Sequence, residues 1–246
     1  MTIQAPFLSS LRLPILSGSD VQKKKLRSAC ILAFFCPLFL AGFLAGPSLA
    51  EEKDFSDEPR FEVIGERLVF NGHVEREDGY EGIEYADARE LRQILRDHPE
   101  VTTLELHSDG GVPPAALEMA VAVTDFGLNT VVTERCESAC TLVFLAGESR
   151  TLARGARLGF HSSSWGREGM KEYYEETRES SGWLDEFAFA SWAYEEGMRD
   201  FNKTLEFMVA RGVDIQFIIR AAYVNFSDVW YPTRDELVKF GIIHPE

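Results

Sequence analysis

The sequence predicts an α/β fold with a parallel sheet and a mainly helical last third. The first observation is composition: of 246 residues, 45% are hydrophobic, 12% aromatic and 26% charged, enough for a packed core and too balanced for a disordered chain. The second is order. Across residues 101–163 strand-like and helix-like segments alternate, and strands joined by intervening helices pair in parallel through βαβ crossovers. The third is a change of period near the end, where Met198, Phe201, Leu205 and Met208 recur at spacings of three and four.

The elements follow in order. Residues 61–74, FEVIGERLVFNGHV, alternate apolar and polar around Gly65-Glu66 and read as a β-hairpin. Residues 85–98 carry Leu91, Ile94 and Leu95 at helical spacing and stop at Pro99. VTTLELHS, residues 101–108, is the next strand. Gly110 and Gly111 lead into two prolines suited to a first helical turn, then a helix with Leu117, Ala120 and Val121 on one face, ended by Gly127. NTVVTE is a short strand, CESACTLVFLAG a small-residue helix and ARLGFHSS another strand. The acidic run Glu172, Glu175, Glu176, Glu179, Asp185 and Glu186 reads as a solvated face, and the amphipathic helix through Met208 follows it. YPTRDELVKFG closes the chain with a helix whose Thr233 and Glu236 fit a capping box. No internal repeat or linker divides residues 51–246, so they read as one domain.

Charge separates the chain into two unlike parts. The whole carries −15, but residues 1–50 hold Arg12, Lys23, Lys24, Lys25 and Arg27 against a single acid, Asp20, which leaves −19 on residues 51–246. That acidity excludes wrapping of nucleic acid phosphates. The basic cluster precedes about 18 apolar residues that end in Ser48-Leu49-Ala50, the pattern of a secretory signal. Cleavage after Ala50 leaves a 196-residue exported domain; the rival reading is an uncleaved anchor, since the run is nearly long enough to span a bilayer. Either way the acidic part lies outside the cytoplasmic membrane, in the periplasm or its equivalent, and touches membrane only through the first segment.

Three features along the βαβ core could carry chemistry. HSDGG places Gly110 and Gly111 at the C-terminal edge of a strand, where α/β sheets bind ligands and where turned-out N–H groups suit a negative oxygen. CESACT places Cys140 near a helix N-terminus, which stabilises a thiolate. Cys136 and Cys140 are also the only cysteines beyond residue 50, and an oxidising compartment pairs such residues. A regular helix holds side chains four apart too far for a disulfide, so a bond requires Cys136 to precede the helix; disulfide and free thiols both stand. GFHSS ends a strand with His161, where a general base would be needed. A metal held by Cys136, Cys140 and His161 lacks a fourth ligand, and residues 51–246 have no GxxxxGK loop, so neither metal nor cofactor is expected.

In this order, SDGG, ESACTLVFLAG and a strand ending in GFH resemble the Clp protease proteolytic subunit and the wider ClpP/crotonase-like superfamily, including predicted periplasmic Clp-protease-like proteins. The resemblance covers residues 101–161 and, more loosely, YPTRDELVKFGII. It implies a core of repeated ββα and βαβ units, self-association into homo-oligomers, and hydrolysis of peptide or acyl substrates. Carried over residue by residue, it implies an oxyanion hole from Gly110, Gly111 and the Thr141 N–H, Cys140 at the nucleophile position and His161 as base. The third member falls on Asn225, with Ser227 and Asp228 close by. Cysteine replaces the family's serine, and Ser138 stands two residues too early. A module of another class, a non-catalytic binding or scaffold domain with a structural Cys136–Cys140 disulfide, accounts for the same residues.

Overall fold

The computed structural model describes residues 59–76 and 79–244; the expected export segment, residues 1–50, lies outside them. Strands β1 (Phe61–Ile64) and β2 (Arg67–Asn71) form the expected antiparallel hairpin, with Ile64 opposite Arg67 across Gly65. Helix α1 (Tyr85–Asp97) opens on a capping box from Glu84 and Asp87 and buries Leu91 and Leu95. Its start is held by an ion cluster in which the fully buried Asp87 accepts from Arg60 at 2.7 and 2.8 Å and from Arg76 at 2.9 Å.

Strand β3 (Thr103–His107) pairs in parallel with β2, and after α2 (Pro113–Asp125) strand β4 (Asn129–Val132) pairs in parallel with β3. The chain then enters β5 (Arg135–Glu137), α3 (Cys140–Leu145), β6 (Arg150–Leu152) and β7 (Arg157–Gly159). A five-stranded sheet has the order β1-β2-β3-β4-β6, and β5 and β7 form a separate parallel pair. A bridge from Ser108 to Cys136 ties the end of β3 to β5, and one from Phe160 to Trp230 extends the edge beyond β7. The expected α/β architecture with a parallel sheet is therefore present. Its helical last third comprises α4 (Arg167–Ser181), α5 (Glu186–Ala210), α6 (Ile215–Ala222) and α7 (Arg234–Lys239).

Four local expectations need correction or extension. CESACTLVFLAG is not one helix: residues 135–137 are strand and α3 begins only at Cys140. Strand β6 was not expected. Helix α2 buries Ala116, Met119, Ala120 and Val123 and leaves Val121 exposed, because a helix apolar nearly all round shows no single face to the eye. The stripe from Met198 to Met208 lies on α5 as expected, yet only its end at Met208 is buried. The Thr233–Glu236 capping box is present as read, and α4, which holds much of the acidic run, buries none of its residues.

All six residues of α3 are buried between the sheet and α2. Its carboxyl end is closed by Arg211, whose guanidinium donates to the carbonyls of Leu145 at 2.8 Å and Gly147 at 2.7 Å, supplying donors that a helix end lacks. Among the described residues no helix is long and apolar enough to cross a membrane.

Candidate active site

The glycine pair is shaped by close approach. Gly110 has φ 115, and a Cβ there would stand 2.7 Å from Ser138 Cβ and 3.2 Å from the Ala139 nitrogen; Gly111 has φ 141, and a Cβ would strike the Ile83 backbone at 2.2 Å. No larger residue fits either position. The loop is pinned by the Ile83 N–H donating to the Gly110 carbonyl at 2.7 Å and the Val112 N–H donating to the Ile83 carbonyl at 2.8 Å.

Opposite this loop runs the turn from β5 into α3. Cys136, on β5, and Cys140, the first residue of α3, are joined by a disulfide with Cα atoms 5.4 Å apart, and both are fully buried. This geometry arises because Cys136 precedes the helix. It also overturns the nucleophile assignment: a sulfur bonded in a disulfide is not a thiolate, so Cys140 does not fill that role in this structure. Between the two cysteines Ser138 has φ 51, the one left-handed non-glycine residue among those described. That conformation turns the chain sharply from strand to helix, and Ser138 is half-buried beside Gly110.

The implied oxyanion donors also change. Thr141 donates its N–H to the Ser138 carbonyl at 3.0 Å, and Gly110 donates its own to Ser108 Oγ at 3.1 Å, so both are occupied. The N–H groups of Gly111 and Ala139 have no acceptor among the described residues. Sequence reasoning set Ser138 aside as two residues too early and did not name Ala139, because the resemblance aligns the nucleophile with Cys140. A serine just before the apolar run ACTLVFLAG is a helix-start signal and could have moved the start of the helix.

His161 lies two residues beyond β7. Glu137 pairs with Gly159, and the Ser138 N–H donates to the Gly159 carbonyl at 2.9 Å. That hydrogen bond holds Ser138 beside the end of β7, two residues before His161, at one edge of the short sheet. His161 Nδ1 is 2.8 Å from the Ser162 carbonyl, which can only accept, so Nδ1 is the donor there, and in the neutral ring the lone pair lies on Nε2. The Phe226 ring packs edge-on against the imidazole at 5.1 Å. Asn225 lies between Phe226 and Val224, whose carbonyl accepts from the Ser162 N–H at 2.9 Å, but its Oδ1 is turned to Ser227, accepting from Ser227 N and Oγ, both at 3.1 Å. The Ser162 carbonyl orients the ring instead.

Beside this edge stands a polar cluster. Arg135 pairs with Asp109 at 2.8 Å and lies 3.5 Å from Glu137, while Tyr231 donates its hydroxyl to Glu137. Burial, reinforced by the hydrogen bond to Glu137, pushes the Tyr231 phenol up to about 12. Among the described residues no group of three His, Cys, Asp or Glu side chains is arranged to hold a metal ion. The groove lined by Arg67, Thr103, Asn129 and Thr151 opens at the opposite ends of the strands from the glycine pair and holds none of these groups.

The geometry defines a ClpP-like fold. A solved structure of a ClpP1 point mutant from Listeria monocytogenes matches over 73% of this chain and 89% of its own, with a TM-score of 0.50 and 15% sequence identity. No family model matches the sequence, and no curated protein matches it.

Proposed function

We propose that this chain is an exported, ClpP-like hydrolase of peptide or acyl substrates, with Ser138 as nucleophile and His161 as general base. The observation that carries the reading is the left-handed Ser138 at a strand-to-helix elbow, packed against the glycine loop; turns of this kind present a hydroxyl clear of a sheet edge. In the reaction Ser138 Oγ bonds to the substrate carbonyl carbon while its proton passes to His161 Nε2. The carbonyl oxygen becomes an oxyanion facing the Gly111 and Ala139 N–H groups. The C–N or C–O bond then breaks, His161 returns the proton to the departing amine or alcohol, and a water repeats the cycle on the acyl-serine.

Export is supported by the basic cluster and apolar run of residues 1–50 and by the Cys136–Cys140 disulfide, since such bonds persist in oxidising compartments. A second reading, a non-catalytic binding module that holds a peptide or another envelope protein, is favoured by one observation: a carbonyl and not a carboxylate orients His161.

Labelling with a fluorophosphonate probe, read by intact mass, separates the two. The hydrolase reading expects one adduct on wild-type protein, none on Ser138→Ala and at least tenfold slower labelling of His161→Ala. Absence of an adduct on folded wild-type protein refutes it and leaves the binding module.

A further inference from the structure

We infer that Arg150 and Arg211 form a binding site for a phosphate group at the far end of the sheet from Ser138, independently of whether that serine is catalytic. Arg150 is the first residue of β6, opposite Thr130 on the parallel β4, whereas the glycine pair follows the last residue of β3. It is 8% exposed. Its Nη1 donates to the Arg211 carbonyl at 3.3 Å, and its Nη2 lies 3.0 Å from His244 Nε2, which accepts because arginine only donates. The Arg150 Nε is buried and has no acceptor among the described residues. Arg211 donates from Nε and Nη2 to the carbonyls that end α3, and its Nη1 has no acceptor among the described residues either. His244 is exposed and marks the side on which the pair meets solvent.

The charges around this pair do not balance. Among the described residues neither guanidinium has a carboxylate partner, and the acids nearest in sequence are turned elsewhere. Glu148 lies against Gly127, where a Cβ would stand 3.2 Å from its Oε1, and Asp214 accepts from the Gln216 N–H at 2.7 Å. The carboxyl ends of α3 and α5 supply carbonyls, but each helix end is worth only about half an elementary charge, so together they offset about one of the two guanidinium charges. Burial, with Arg211 beside it, pushes the Arg150 guanidinium down to about 10, which leaves it charged at neutral pH. A buried charge without its full counter-charge is costly, and an anion bound here removes that cost.

The donors select the anion. The unpaired N–H groups stand on two guanidiniums from different elements, β6 and the end of α5. A tetrahedral oxyanion offers oxygens to both, whereas a planar carboxylate is matched by the fork of one. A phosphate ester carries about −1.5 to −2 at neutral pH, enough to answer the remaining positive charge. Free inorganic phosphate and a phospholipid headgroup present this same chemistry.

Proton NMR of the His244 ring in the full-length protein tests this, with His244→Gln assigning the signal. Burial and the charges of Arg150 and Arg211 hold this imidazole below its ordinary 6.5 in chloride buffer. Inorganic phosphate at about 10 mM, at equal ionic strength, should raise the midpoint by at least about 0.5, because a bound anion offsets those charges. Line broadening of the phosphate phosphorus signal should show at least tenfold weaker binding to Arg150→Gln. A His244 midpoint that phosphate leaves in place overturns the inference, and that measurement decides alone if Arg150→Gln does not fold. Equal binding by folded Arg150→Gln overturns it as well. Once phosphate has moved the midpoint, co-sedimentation with phosphatidic acid vesicles that inorganic phosphate reverses assigns a lipid headgroup, and co-sedimentation that is absent or unaffected assigns a soluble phosphate.

Discussion

The five residues from Cys136 to Cys140 form a covalent ring around the candidate nucleophile, and opening it should be measurable both as stability and as reactivity. Loop-closure entropy for a ring of this size gives about 2 kcal/mol of stabilisation. Holding a non-glycine residue in the left-handed region costs about 1–2 kcal/mol. The clamp is thus of the same size as the strain at Ser138 and able to offset it. Because both sulfurs are fully buried, the perturbation that keeps the packing atoms in place is reduction: unfold the protein in denaturant with a phosphine, then refold it under the same reductant. For a domain of this length about 2 kcal/mol corresponds to a fall of about 4–8 °C in melting temperature. Circular dichroism melts of oxidised and reduced protein measure this, and fluorophosphonate labelling of the two forms at 25 °C measures the elbow. The expected result is a lower melting temperature together with slower labelling. Equal melting temperatures within about 1 °C would show that the ring adds no net stability and refute the reasoning. A lower melting temperature with unchanged labelling would detach the disulfide from Ser138.

Three further outcomes follow from ionisable side chains. Asp87→Ala leaves Arg60 and Arg76 without their shared buried partner and should cost about 3–5 kcal/mol in a urea titration. The hydrogen bond from His107, with those from Thr133 and Arg67, holds the Glu105 carboxyl down at about 2 against burial. Its stabilisation is therefore present above the ordinary value of 4.5 and lost as pH falls from there toward 2, and acid unfolding curves of Glu105→Gln should be flatter across that window. Tyr231 runs in the opposite sense: its folded phenol is raised from 10 to about 12, so its contribution is intact below pH 10 and lost as pH rises through 12. Absorbance titration at 295 nm should show a late-ionising tyrosine that Tyr231→Phe removes.

Much of the scaffold could be read from residues because local signals and tertiary context agree. Gly65-Glu66 turns the hairpin, Pro99 bars continuation of α1, and Thr233 with Glu236 caps α7. The segments that escaped notice are those with too few residues to show a period. β5 and β6 are three residues each, and α3 is buried on every side, so neither alternation nor amphipathicity marks where one ends and the next begins. The nucleophile and its oxyanion N–H were placed on Cys140 and Thr141 by the family resemblance, and apart from the serine itself no local pattern in CESACT marks Ser138 as the turn between strand and helix. The left-handed φ of Ser138 has no sequence signature, since serine is not the residue that usually adopts it.

That single boundary also reverses what the cysteines mean. Within one helix the pair could not have bonded, and Cys140 would have remained a free thiol. With Cys136 on a strand the same two residues close a ring, and the reactive position passes to the residue they enclose. The glycine loop is consistent with this transfer in a way it is not with the original assignment. A Cβ at Gly110 would collide with Ser138 and approach the Ala139 nitrogen, so the space that glycine provides lies over the elbow, while Cys140 is turned into the core. A loop that needs glycine to make room is making room where Ser138 stands.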